Sequence, residues 1–239
     1  MVIDFHAHIG KDKKGEEHSV EELLERMDET GIEKSVVFPF NCSDHELIRE
    51  SKIIREHSIN NSRLIPFMRF NPNTITKEEL QALLAMGFKG VKLHPSAQNF
   101  MPNNEKFFWI YEMIEKKRLP ILFHSRMISG ELGNPEHLLA VAKQFPNLKI
   151  IIGHFFGDLF SIIPKVKKYP NIYTETSIYA RTLRIRNVVE QQGFTRILFG
   201  SDTPYDHPEV AIKKIKHSGL SEENINKILK GNALSIFES

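Results

Sequence analysis

The chain runs to 239 residues, of which 41% are hydrophobic and 26% charged, a soluble globular composition that excludes a disordered or fibrous chain and suffices for a single domain over residues 1–239. Thirty-two Lys plus Arg stand against 30 Asp plus Glu, a formal charge of +2, so no strong field draws in nucleic acid or a membrane, and a small-molecule partner is expected. The single cysteine, Cys42, cannot close an intramolecular disulfide, no signal-like leader opens the chain, and no apolar run approaches the roughly 20 residues of a membrane-spanning helix. These features predict a cytoplasmic protein, and a homo-oligomeric state is compatible with them.

The first predicted strand is Val2-Ile3-Asp4-Phe5-His6-Ala7-His8, in which His6 and His8 are spaced to share one face. Ser19, with Glu22 three residues on, predicts the start of the first helix, and Gly31 its end. Further short apolar strands end near Phe40 and Phe70, and the helical segment beginning at Glu78 is closed by Gly87. Strands ending near His94, Ser125, His154, Ser177 and Asp202 complete a set of eight, with Gly193 and Ser221 marking a late helix end and start. Segments such as Ile121-Leu122-Phe123 and Ile150-Ile151-Ile152 are apolar on both faces, as parallel strands covered by helices must be. Eight βα units without a linker predict a single-domain α/β fold, a closed (β/α)8 TIM barrel; an open doubly wound sheet is the alternative, lacking a glycine-rich phosphate loop after the first strand.

Of 11 histidines, His6, His8, His94, His124 and His154 fall at predicted strand C-termini, and Asp202 joins them from the eighth strand. In a barrel these ends converge on one mouth. Neutral imidazoles with a carboxylate suit Zn²⁺, Mn²⁺, Fe²⁺ or Ni²⁺, zinc being the common choice for hydrolysis. Arg69 ends strand three, and Arg126 lies two residues beyond His124; each offers a planar fork for a carboxylate, with Arg181 as a further candidate. Phe155, Phe156, Tyr179 and Tyr205 are placed to form an aromatic wall at the mouth, whereas Trp109 and Cys42 are assigned to structure.

On these residues the chain resembles the amidohydrolase superfamily, in its short amidohydrolase-related (amidohydrolase 2) branch. The matching positions are His6 and His8, His124 in Leu122-Phe123-His124-Ser125, His154 in Ile152-Gly153-His154, and Asp202 in Gly200-Ser201-Asp202-Thr203-Pro204. Phe70-Asn71-Pro72 and the run from Gly87 to Pro95 are similar to that branch as well, and the added β-sandwich of longer members is not expected here. TatD-type deoxyribonucleases share the ligand order but place a glutamate on strand four, where this chain has Lys92 and His94. The resemblance implies metal ligation by His6, His8, His124, His154 and Asp202. In the favoured one-ion form, His6, His8, His124 and Asp202 hold the metal, most simply Zn²⁺, and His154 acts on substrate or water.

A second ion would follow if Lys92, in a phrase similar to the strand-four region of dihydroorotases, were carboxylated to bridge the two. Lys92 could otherwise bind an anionic substrate or pair with Asp4 or Glu175. The implied activity is hydrolysis of an amide, lactone or ester bond of a small carboxylate-bearing substrate. A metal-activated water would be the nucleophile, with Asp202 as general base and His94 or His154 stabilising the oxyanion. Arg69, Lys92 and Arg126 are the expected substrate-binding residues. The alternative activity is a metal-dependent decarboxylation similar to that of aminocarboxymuconate semialdehyde decarboxylase, and a non-catalytic metal-binding barrel is a third reading.

Overall fold

The computed structural model describes residues 1–179, 181–191 and 193–237, apart from the side chain of Ser129. Eight parallel strands follow one another in spatial as in chain order: β1 (Val2–Lys11), β2 (Ile32–Pro39), β3 (Leu64–Arg69), β4 (Gly90–Leu93), β5 (Ile121–Phe123), β6 (Ile150–Ile152), β7 (Ile172–Glu175) and β8 (Ile197–Leu198). The barrel closes between its last and first strands. The Phe5 N–H donates to the Phe199 carbonyl, Asp202 N–H to His6 and His8 N–H to Thr203, each at 2.8 Å. The fold is the expected TIM barrel. A two-residue strand, Glu17–His18, folds back antiparallel on the end of β1.

Helix boundaries follow local chemistry. The helix Val20–Thr30 starts in a complete capping box between Ser19 and Glu22, and Gly31 ends it at φ 71°, a left-handed value that favours glycine. The Ser221 hydroxyl likewise accepts the Asn224 N–H at 3.3 Å. Several strands stop earlier than the apolar runs imply: β4 ends at Leu93, β5 at Phe123, β6 at Ile152 and β8 at Leu198. His94, His124, His154 and Asp202 therefore lie just beyond the ladders, where the chain is already turning. His154 and Asp202 both adopt left-handed backbone, at φ 54° and 66°, a conformation that costs a non-glycine residue energy and persists only where the surroundings enforce it.

Side chains inside the barrel follow the period of two in β3, β4, β5 and β6, where Phe67, Lys92, Leu122 and Ile151 point inward. In β1 the phase changes. Ile3 and Phe5 belong to the inner cluster and Ala7 and Ile9 to the outer one, and the register with β2 slips between Asp4 and Ala7. This bulge turns His6 onto the same interior as Phe5, so Phe5, His6 and His8 all face inward.

The N-terminal end of the interior is apolar: Ile3, Phe5, Val36, Phe67, Leu122, Ile151 and Leu198 pack together, and Ala233 and Ile236 of the last helix plug it. Phe237 stacks on Phe5 with ring centroids 5.6 Å apart. Burial of each large side chain here contributes about 1.5–3 kcal/mol. Gly90 makes room for this layer, because a Cβ there would lie 2.3 Å from the Phe67 ring.

Candidate metal centre and its cavity

Above the apolar layer a cavity of about 640 Å³ opens at the C-terminal ends of the strands, and its walls include His6, His8, Arg69, Lys92, His94, His124, Arg126, His154 and Asp202. Phe38 forms the boundary between the layers, with its ring 5.1 Å from that of His6 and 4.8 Å from that of His8. The expected metal-ligating residues, His94 and the substrate-binding candidates Arg69, Lys92 and Arg126 therefore all border one mouth.

The tightest convergence is on Asp202. Its Oδ1 lies 2.9 Å from His6 Nε2 and 3.2 Å from His8 Nε2, and one donor atom from each of these three buried residues falls within 4.8 Å of the others. Burial pushes His8 down to about 4, so it is a neutral imidazole with a lone pair to offer. Burial and Lys92 also act to lower His6, but Asp202 and Glu175 outweigh them and raise it, so this spot favours a positive charge. Asp202 stays ionised despite its burial, held well below the usual carboxylate range by His6 and His8. Two imidazoles and a carboxylate around a point that attracts a cation are a fitting donor set for a divalent ion.

The residue that organises the remaining imidazoles is Glu175, fully buried at the end of β7. It accepts from His6 Nδ1 at 3.0 Å, from the His154 backbone N–H at 2.7 Å, and from the Ser177 backbone N–H and hydroxyl at 2.7 and 2.8 Å. Burial alone would raise this carboxyl, but His6, His154 and the hydrogen bonds bring it down to about 2. With the Ser177 hydroxyl donating to Glu175, the serine oxygen must accept from His154 Nδ1, 2.7 Å away. The neutral His154 then carries its proton on Nδ1, and its Nε2 accepts from His124 Nδ1 at 2.9 Å. His124 is left with a lone pair on Nε2, and His6, donating through Nδ1, likewise presents Nε2. One buried carboxylate thus sets the tautomers of three histidines. His6, His154 and Glu175 also approach closely as a group, but every donor around Glu175 is already engaged with it, which marks it as an orienting group.

Space for Glu175 is reserved by glycine. A Cβ on Gly200 would fall 2.3 Å from Glu175 Oε2, and one on Gly153 would lie 2.8 Å from the Phe123 carbonyl oxygen and 3.3 Å from Glu175 Oε1. Asp4 lies beside this floor and accepts from the His6 backbone N–H at 3.0 Å and the Ser201 N–H at 2.9 Å. Burial raises Asp4 to about 6.

Lys92 corrects one expectation. It pairs with neither Asp4 nor Glu175; its Nζ lies 3.5 Å from His6 Nε2 and 5.0 Å from the centre of the Phe38 ring. Burial brings it down to about 7. Arg69 is equally buried: its guanidinium donates to the Pro39 carbonyl at 3.0 Å, and its Nε has no hydrogen-bond partner among the described residues. His94 stacks on His124 at 3.6 Å and accepts the Ala97 N–H on Nδ1, which places the neutral ring's proton on Nε2. The aromatic wall is smaller than expected. Phe155 and Phe156 are fully buried in the outer core, where left-handed backbone turns them away from the mouth, while Tyr205 lines the cavity.

Two supports escaped the sequence reading. His18 is buried beneath the end of β1, its Nδ1 2.8 Å from the His8 carbonyl oxygen. The sequence offers Glu175 only as a partner for Lys92, although its position two residues before Ser177 at a predicted strand end places both on one interior face.

The amidohydrolase family model known as Amidohydro_2 matches residues 3–238. The chain belongs to the amidohydrolase family. A gamma-resorcylate decarboxylase from Polaromonas sp. (strain JS666 / ATCC BAA-500) is 30% identical over 116 residues, a match that covers 40% of this chain and about a third (36%) of that protein. Among solved structures, 2,6-dihydroxybenzoate decarboxylase from Rhizobium superposes with a TM-score of 0.79 at 18% identity, over 99% of this chain and 98% of that one. The dihydroxybenzoic acid decarboxylase of Polaromonas sp. JS666, with bound manganese and 2-nitroresorcinol, gives 0.80 at 19% identity over 99% and 96%. A Pseudomonas putida structure assigned to 2-pyrone-4,6-dicarboxylic acid hydrolase gives 0.78 at 14% identity over 99% and 97%. Family membership and the donor set together make the cavity of this amidohydrolase a divalent-metal site. No helix among the described residues is long and apolar enough to cross a membrane.

Proposed function

We propose that this amidohydrolase is a metal-dependent decarboxylase of a small aromatic carboxylic acid. The observation that carries the reading is a pair of buried cationic side chains, Arg69 and Lys92, that line the same cavity as the metal donors and meet no carboxylate among the described residues. Such groups call for an anionic ligand, and a bound carboxylate would return Lys92 to its charged form. The anion is thereby held against the metal donors themselves, which makes the bond to the carboxylate the one exposed to chemistry. The decarboxylases among the relatives support the same choice.

The donor atoms of His6, His8 and Asp202 converge, and with His124 they would hold one ion, with Zn²⁺ suited to the imidazoles and Mn²⁺ the ion named in the Polaromonas structure. When bound, the ion would polarise substrate oxygens beside the carboxylate. Arg69 and Lys92 orient that carboxylate, and the His94 Nε2–H donates to a neighbouring oxygen. Asp202 Oδ2, which has no protein partner among the described residues, takes up a proton from the cavity. A carboxyl group held so low is a strong acid once protonated, and it delivers this proton to the ring carbon as the bond to CO₂ breaks. The electron pair of that bond becomes the new C–H bond, one proton is consumed, and Asp202 returns to its ionised form. His154 keeps the His124 ring in place through the chain to Ser177 and Glu175.

The test is turnover by Zn²⁺- and Mn²⁺-loaded protein of a panel of hydroxybenzoic acids, lactones and amides. CO₂ release, with deuterium incorporated at the vacated carbon in D₂O, is the expected outcome. Oxygen from labelled water appearing in product without CO₂ would instead establish the hydrolase reading, with Asp202 as general base. Metal analysis near one ion per chain is expected; a value near two would restore the carboxylated Lys92 bridge.

A further inference from the structure

Beside the metal cavity lies a second cleft of about 440 Å³, whose lining includes Arg126, His154, Asp158, Tyr179, Arg181 and Arg184. It shares Arg126, His154 and Ile178 with the main cavity, so the two form adjoining lobes of one space. Three guanidinium groups line this lobe against the single carboxylate of Asp158, and none of the three forms an ion pair among the described residues. Elsewhere on the molecule Arg49, Arg63 and Arg186 each pair with a carboxylate, and Arg69 and Arg196 donate to backbone carbonyls.

The lobe is also partly built. Arg126 Nε is buried without a hydrogen-bond partner among the described residues, a loss that an acceptor in the cleft would repair. The Arg184 guanidinium lies 4.9 Å from the centre of the Phe160 ring, a stacked position that limits its freedom before any ligand arrives. Phe160 and Phe155 in turn pack on Tyr179, at 5.4 and 4.8 Å, so the ring under Arg184 belongs to an aromatic cluster.

We infer that this lobe binds a second carboxylate of the substrate, so that the enzyme acts on an aromatic dicarboxylic acid, with one carboxylate at Arg69 and Lys92 and the other at Arg126, Arg181 and Arg184. The inference rests on the carboxylate-bearing substrate of the proposed function. Arg126, at the junction of the lobes, orients the ring between them. Planar guanidinium groups match a carboxylate edge in the bidentate manner that a lysine cluster would not.

The experiment measures binding rather than turnover, so it stands apart from the reaction assigned above. Calorimetric titration of the metal-loaded protein would compare benzoate with the 1,2-, 1,3- and 1,4-benzenedicarboxylates. At least one diacid is expected to bind about tenfold or more tightly than benzoate, the scale of one added charge-assisted contact. In the Arg181→Ala/Arg184→Ala double variant that preference should fall to near unity while metal content, benzoate affinity and melting temperature hold, and Arg184→Lys should restore it only in part. Equal affinity for benzoate and every diacid, or a preference unchanged in the double variant, would overturn the inference. Diacid selectivity without CO₂ release would leave this lobe standing and remove the decarboxylase, whereas CO₂ release from monoacids as efficient as from diacids would do the reverse.

Discussion

The two ends of the barrel interior are lined by the same strands and carry opposite chemistry. At the N-terminal end, Ile3, Phe5, Val36, Phe67, Leu122, Ile151 and Leu198 form an apolar layer closed by the last helix. At the C-terminal end stand His6, one residue beyond Phe5, and Arg69, two beyond Phe67, together with Lys92, Glu175 and Asp202, all nearly or wholly buried. The first layer gains free energy from burial, and the second spends part of it on charged and strained groups. Stability and chemistry are thereby separated along each strand, and a substitution should report on one or the other according to its height in the barrel.

The largest separation is expected from Asp202→Asn, which should lower turnover by about 10³-fold or more while metal largely remains; unchanged turnover would remove Asp202 from the chemistry. Phe67→Ala at the opposite end should cost about 3–4 kcal/mol in denaturant unfolding, and metal bound per folded molecule should not change. Between the layers, Glu175→Gln should weaken metal affinity by roughly 10- to 100-fold, because His6 Nδ1 and the Ser177 hydroxyl lose their anionic acceptor; equilibrium dialysis would show it.

The smallest effect on stability has the opposite sign. Lys92→Met should abolish activity yet stabilise the metal-free protein by about 1–2 kcal/mol at pH 6. Lys92 is lowered from 10.5 to about 7 by burial, so between those values the unfolded chain binds more protons than the folded one and wild-type stability rises with pH. The advantage of the methionine variant should therefore be largest below pH 7 and shrink towards pH 10.5, as unfolding curves across that range would reveal.

Much of this division is legible in the sequence, because a barrel of short parallel strands is written in local terms. Apolar runs between capping signals define the βα units, and the histidines beyond β4, β5 and β6 identify the mouth. The pairing of His6 with His8 follows from simple alternation. What alternation does not carry is the relation of that pair to Phe5, which depends on a register slip against β2. Glu175 was hidden for a related reason: its importance comes from partners on β1, after β6 and after its own strand, a meeting that exists only once the barrel closes. Phe155 and Phe156 misled because they follow a site histidine directly, and only their left-handed backbone turns both into the outer core.

The slip in β1 has a consequence for anyone wishing to move this site to another scaffold. On a regular strand, residues 5 and 6 would lie on opposite faces, so a transplanted His-x-His segment would direct either its imidazoles or the aromatic ring below them outside the barrel. The transferable unit is therefore the irregular segment from Asp4 to Ala7 together with the strand that accepts its offset. Deleting one residue there would invert everything downstream in β1, and the clamp would be presented to the surrounding helices instead of to a ligand.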